Sequence, residues 1–230
     1  MLDRCPRYLP ILEFLEGRSV DSILEVGCGP RGLGEFRSED FIGCDVSFPP
    51  ERSQCLIPVV AKGQSLPFRD ETFDLVLCQD TLEHVPPDCR IALVEELLRV
   101  SRKHVIVGFP RGKWALLADR VYRFYHERIR CFPPVAWVTE HMKIPPVDVR
   151  EFENFLNSHP LSIRRINREN VAMHVLLIAV EHFPRINRRL VKWVREHPQR
   201  ARPLFRILDI PPAYRTIYFI EKRGSELDGT

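Results

Sequence analysis

Two short apolar runs joined by a glycine-rich turn constrain this chain more than any other stretch. Ile23-Leu24-Glu25-Val26 leads directly into Gly27-Cys28-Gly29, and Phe41-Ile42-Gly43-Cys44 ends in Asp45. The pattern predicts two parallel strands linked by a tight turn, with an acid at the tip of the second. Glycine permits positive φ and lets the backbone come close to a ligand. A carboxylate at the strand tip can accept from both hydroxyls of a ribose, and in open α/β sheets such ligands bind outside the carboxyl ends of the strands.

Two cofactor classes use this layout. Gly27, Gly29 and Gly32 fit G-x-G-x-x-G, the spacing of dinucleotide sites. However, Glu25 lies two residues before Gly27, where a pyrophosphate has no use for a negative charge. Pro30 and Arg31 also weaken the expected run into a helix N-terminus that would face phosphate. At Glu25-Val26-Gly27-Cys28-Gly29 the sequence resembles the first motif of the class I S-adenosylmethionine (SAM) methyltransferases. SAM has no phosphate and carries a sulfonium and an ammonium, so an acid beside the turn suits it.

The resemblance continues to about Pro110. Asp45 ends the second strand and Val46 follows it. Leu66-Pro67-Phe68, a polar loop and Phe73-Asp74-Leu75-Val76-Leu77-Cys78 come next, and then Gln79-Asp80-Thr81-Leu82-Glu83-His84-Val85. The family usually has an acid at the position of Lys62, facing the adenine amino group. Here that contact is expected to fall to Gly63, Gln64 and Ser65. The cofactor residues implied are Glu25, Gly27, Cys28, Gly29, Asp45, Val46, Gly63, Gln64, Ser65, Leu66, Cys78, Gln79 and Asp80. His84 is a candidate proton acceptor, since histidine titrates near neutral pH, and also a candidate loop anchor.

Length and composition agree with one α/β domain. The chain has 230 residues, 44% hydrophobic and 28% charged, with a net charge of +3, too small to imply nucleic-acid binding by itself. No apolar run approaches the roughly 20 residues of a membrane span. Acids flank the short apolar segment near the N-terminus, against a signal peptide. The seven cysteines are scattered, with no zinc spacing. We expect a reduced cytoplasmic protein without a structural metal.

Along the chain, a helix is expected over residues 4–16, a third strand over 55–60, a helix over 88–100 and a fifth strand over 103–110. The predicted fold is a doubly wound, seven-stranded, mostly parallel, Rossmann-like sheet. The resemblance implies that its last strand, 214–221, slots antiparallel between the fifth and the sixth (161–166). One domain covers 1–230. Residues 111–160 are rich in aromatics, which by themselves suit the core of a helical insertion; the resemblance implies a lid over the acceptor there, with Glu140 and His141 as further catalytic candidates. Residues 169–208 are expected to form a helical insertion whose basic stretch, 185–206, is either a solvated face or a contact for an anionic membrane, a lipid-phosphate acceptor or, ranked last, nucleic acid. The implied acceptor is a small or lipid-linked molecule, and no nucleic-acid motif is evident. Two alternatives stay open: a SAM-binding sensor or assembly protein without transferase activity, and an NAD(P)-dependent oxidoreductase, which explains only the glycine turn and Asp45.

Overall fold

The computed structural model describes residues 2–133, 138–139, 143–207 and 209–223. Both apolar runs are strands, β1 (Ile23–Val26) and β2 (Phe41–Asp45). β1 is buried along its whole length, as a central strand covered on both faces must be. β3 (Leu56–Val60), β4 (Phe73–Gln79), β5 (Ser101–Pro110), β6 (Leu161–Asn170) and β7 (Ala213–Lys222) complete the sheet, in the order β3-β2-β1-β4-β5-β7-β6. β1 runs parallel to β2 and β4, and β2 to β3. One strand is antiparallel in an otherwise parallel sheet, and β7 occupies the expected slot between β5 and β6. Pro58 sits in β3, the edge strand, where a missing amide donor is tolerated.

Register decides what the sheet edge presents. Val26 pairs with Cys44 on one side and with Cys78 on the other, and Asp45 pairs with Val60. The residues that follow β1, β2, β3 and β4 therefore emerge along one carboxyl edge.

Among the described residues the α-helices are α1 (Cys5–Leu15), α2 (Pro87–Val100), α3 (Gly112–Phe124), α4 (Val149–Asn157), α5 (Val171–Ala179), α6 (Pro184–Glu196) and α7 (Pro198–Ile207). A π-helical turn, Tyr125–Ile129, continues α3. Gly17, at φ +71°, follows the end of α1, as expected for a glycine stop. Asp148 caps α4 by accepting from the amides of Arg150 and Glu151, satisfying donors that the first turn leaves open. The sequence reading set β6 too short. Polar residues continue it to Asn170 because its ladder needs backbone pairing more than an apolar face.

The chain divides into two compact units. The first holds residues up to Gly17, Gly108–Val147 and Ile166–Ile217. Its interior contains an ionic cluster. Glu169 is buried, accepts from Arg215 Nε at 2.8 Å and lies 2.9 Å from His174 Nδ1, while the His174 ring stacks on Tyr214. The second unit holds Arg18–Val107, Asp148–Arg165 and the chain from Tyr218 onward. The segment expected as one insertion, 111–160, is thus divided at Asp148, with α3 in the first unit and α4 in the second.

Candidate functional site

The second unit carries a cleft of about 690 Å³ at the carboxyl edge of the sheet, within the roughly 300–1,000 Å³ usual for small-molecule sites. Its wall is built from the ends of β1 and β2 (Val26, Gly27, Cys44, Asp45, Val46), the turn after β3 (Ala61–Gln64), the loop after β4 (Asp80, Thr81, His84) and the start of α2.

Gly27 begins the turn with φ +71° and donates its amide to Cys44 O at 2.7 Å. A side chain there is impossible for a second reason, because Thr81 Oγ1 lies 2.0 Å from where a Cβ would stand. Asp45 is tied on both sides, accepting from Gly29 N at 2.8 Å and from Val46 N at 2.7 Å. Each carboxylate oxygen keeps a further lone pair, so a diol can still be received by a carboxylate that is already aimed. Asp80 adopts φ +48°, a sparsely populated conformation for a non-glycine residue and one that clusters at functional sites.

α2 holds the neighbouring loops in place. Glu96 accepts from Leu66 N at 2.7 Å, and Arg99 donates to the carbonyls of Leu66 and Phe68 and to Asp70. The Leu-Pro-Phe segment is thus clamped by its backbone. Arg90 does the same for the loop after β4, donating its Nε to Leu82 O and Val85 O, each at 3.0 Å.

Of the residues named from sequence, Gly27, Asp45, Val46, Gly63, Gln64, Asp80 and His84 line the cleft. The others do not. Glu25 is buried, and its Oε2 accepts from Leu33 N at 2.6 Å, closing the glycine turn from inside. That carboxylate also occupies the space beside Gly32, 2.3 Å from where a Cβ would be. Cys28 and Cys78 are buried, and Gly29 reaches the site only through its amide on Asp45. Leu66 is buried, while Ser65 is exposed and closes a turn with Lys62 O. Gln79 is buried and donates to Ile106 O at 3.2 Å. Glu140 and His141 lie outside the described residues. Glu25, Cys28, Leu66, Cys78 and Gln79 are buried because residues that alternate along a strand, or turn under a tight loop, face the core even when their neighbours face the cleft. Thr81 was missed, because its packing on Gly27 joins positions distant in the chain.

The charge of the cleft is informative. Asp45 and Asp80 face one ammonium, Lys62, which leaves one net negative charge when His84 is neutral. SAM, with a sulfonium, an ammonium and a carboxylate, carries one net positive charge. The surrounding field has the same sign: burial first, then the carboxylates of Glu25 and Asp45, push the Cys28 thiol far up. Burial and Asp45 raise Cys44 to about 11, so neither thiol serves as a nucleophile near neutral pH. After the glycine turn comes only the four-residue 3₁₀ turn Gly32–Glu35, so no α-helix N-terminus faces a pyrophosphate. The residues present fit SAM and disfavour a dinucleotide.

Residues 24–108 match the family described as "Methyltransferase domain". A curated relative, the tRNA (carboxymethyluridine(34)-5-O)-methyltransferase of Saccharomyces cerevisiae, is 29% identical over an alignment 160 residues long that covers 61% of this chain and 53% of the yeast protein. The chain thus spans about half the length of that relative. Among solved structures, the YcgJ protein of Bacillus subtilis is similar with a TM-score of 0.54 at 14% identity, covering 95% of this chain and 99% of its own. The magnesium protoporphyrin IX methyltransferase of Synechocystis, solved with bound S-adenosylhomocysteine, matches with a TM-score of 0.52 at 13% identity, covering 94% of this chain and 81% of its own. At these identities the structural matches speak for the fold. Together with the family match and the cleft, they make residues 24–108 similar to a methyltransferase domain set in a fold shared with solved methyltransferases.

Proposed function

We propose that the chain transfers the methyl group of SAM to an acceptor that enters the cleft near His84. The observation that carries this reading is the Asp45 carboxylate, aimed by Gly29 and Val46 into a cleft of net negative charge. In this reading Asp45 receives the ribose hydroxyls, and the turn Gly63–Gln64 offers backbone and amide groups to adenine. Gly27 permits close approach, and Asp80 faces the ammonium of the amino-acid end. When bound, SAM supplies an intrinsically electrophilic methyl group. The protein's work is then to align the acceptor and exclude water. His84, on the wall beside Val85 and Pro86, takes the proton of an acceptor that must lose one. Glu140 and His141, in the expected lid, are retained as acceptor contacts.

For the acceptor we favour a small or lipid-linked molecule, presented at an anionic membrane surface through the basic stretch 185–206. A second reading, a uridine of tRNA, is favoured by the yeast relative's activity. No helix among the described residues is long and apolar enough to cross a membrane.

Calorimetric titration with S-adenosylhomocysteine, with NADH alongside, tests the cofactor. Micromolar binding of the first and none of the second supports the reading, and the reverse overturns it. Labelled SAM incubated with lipid, small-molecule and tRNA fractions then separates the acceptors. Binding without label transfer to any fraction would favour the non-catalytic alternative.

A further inference from the structure

The outer face of α3 is apolar where a helix on a water-exposed surface should be polar. Trp114, Leu117, Val121 and Phe124 are all exposed, Phe124 at 61%. They recur at helical spacing opposite the buried Ala115, Ala118 and Tyr122, so they form one stripe. Lys113, Arg120 and Arg128 are exposed beside it, and among the described residues that face carries no exposed acid. A second stripe lies on α6 of the same unit. Ile186, Leu190 and Trp193 are exposed, while Val191 and Val194 are the buried side. Arg185, Arg188, Arg189 and Lys192 crowd its polar flank. Arg130, past the end of α3, reaches the start of α6. Its guanidinium lies 5.5 Å from the Phe132 ring and 6.0 Å from the Phe183 ring, at the residue that opens α6. Ile129, Phe132 and Phe183 are exposed there as well.

We infer that this patch is a docking surface for an anionic lipid bilayer, with α3 and α6 lying in the interface plane. This extends the lipid-linked reading above, which rests on the basic stretch alone, to a helix that the sequence reading placed only in a lid. Charge complementarity selects the partner. An apolar stripe edged mainly with Lys and Arg, with no exposed acid beside the α3 stripe and Glu196, 3.7 Å from Lys192, as the acid of α6, matches interfacial helices that bury their apolar side among acyl chains. Tryptophan prefers that interface, and each Lys or Arg near it gains from anionic headgroups. RNA would reward the arginines and the aromatic rings. It gives no return for exposing Leu117, Val121, Ile186 and Leu190, which make no base stack and pair with no phosphate.

The test is flotation of the full chain with vesicles of pure phosphatidylcholine and of phosphatidylcholine with about one-third phosphatidylglycerol, at low and high salt. Two double variants run alongside, Leu117→Ser with Phe124→Ser and Arg120→Gln with Arg128→Gln. All four positions are exposed, and titration with S-adenosylhomocysteine checks that the cofactor cleft is intact. The expected result is flotation with the anionic vesicles only, weakened about tenfold in the serine variant and made salt-insensitive or lost in the glutamine variant. Flotation unchanged in both variants overturns the inference. So does an absence of flotation, whether the chain instead binds tRNA through Arg120 and Arg128 or self-associates through Leu117 and Phe124. A chain that floats but binds no S-adenosylhomocysteine defeats the methyltransferase reading and leaves the docking surface standing.

Discussion

Thr81 Oγ1 stands 2.0 Å from the position that a Cβ on Gly27 would take. The same hydroxyl lies within hydrogen-bonding distance of Gln79 O, at 3.2 Å. Two loops that form the cleft therefore lock together through the absence of a side chain. Gly27→Ala is expected to fail twice, by clash and by its φ of +71°, costing about 2–4 kcal/mol. Adding Thr81→Gly should recover only part of that loss, since the positive φ remains. Denaturant titration of the single and double variants measures the difference, and full recovery would mean that the backbone is not strained there.

Asp45 separates charge from hydrogen-bonding capacity. Asp45→Asn keeps one acceptor, for the Gly29 or the Val46 amide, whereas Asp45→Ala removes both. Both should weaken S-adenosylhomocysteine by tenfold or more, about 1.4 kcal/mol, with the asparagine variant giving up one backbone hydrogen bond and the alanine variant two. Unchanged affinity in both would place the ribose elsewhere.

His84 acts on the acceptor in this scheme and not on the cofactor. His84→Ala should lower kcat by about a hundredfold for a protonated acceptor and leave the affinity for S-adenosylhomocysteine unchanged. Equal loss of both would assign His84 to loop structure, beside Arg90 and its grip on Leu82 and Val85.

The buried Glu169 joins β6, α5 and β7 through His174 and Arg215. Glu169→Ala leaves a buried guanidinium without its carboxylate, which should cost roughly 3–5 kcal/mol. Since the cluster belongs to the unit that does not contain the cleft, S-adenosylhomocysteine affinity measured well below the melting temperature should change little.

Glu181 provides a pH test. Burial first, then the nearby Asp3 charge and their mutual hydrogen bond, push its carboxyl up to about 9. The folded state therefore holds a proton that the unfolded chain releases near pH 4.3. Between that value and about 9, the unfolded state binds fewer protons, so this group makes stability fall as pH rises. Glu181→Gln should flatten the decline, raising the melting temperature more at pH 9 than at pH 6. An equal shift at both would show that the carboxyl is already ionised in the fold.

Much of the fold was legible because it is local. The runs 23–26, 41–45 and 73–78 are apolar stretches bounded by turn residues, and each is a strand within a residue of where it was read. The order of elements, with few alternatives for a parallel sheet, agreed with the parallel part of the topology, and the family resemblance supplied the slot of β7. Gly27 and Asp45 followed from what a tight turn and a strand tip can offer a ligand. Only the tertiary structure decided which of their neighbours see that ligand. Glu25 turns under the loop to bind Leu33 N, Gln79 turns inward to Ile106 O, and Thr81 fills the space that Gly27 leaves open. Those contacts depend on strand register and on partners as far as 54 positions away in the chain (from Gly27 to Thr81). A motif fixes the residue types at a turn, but side-chain direction follows from the packing on its other side.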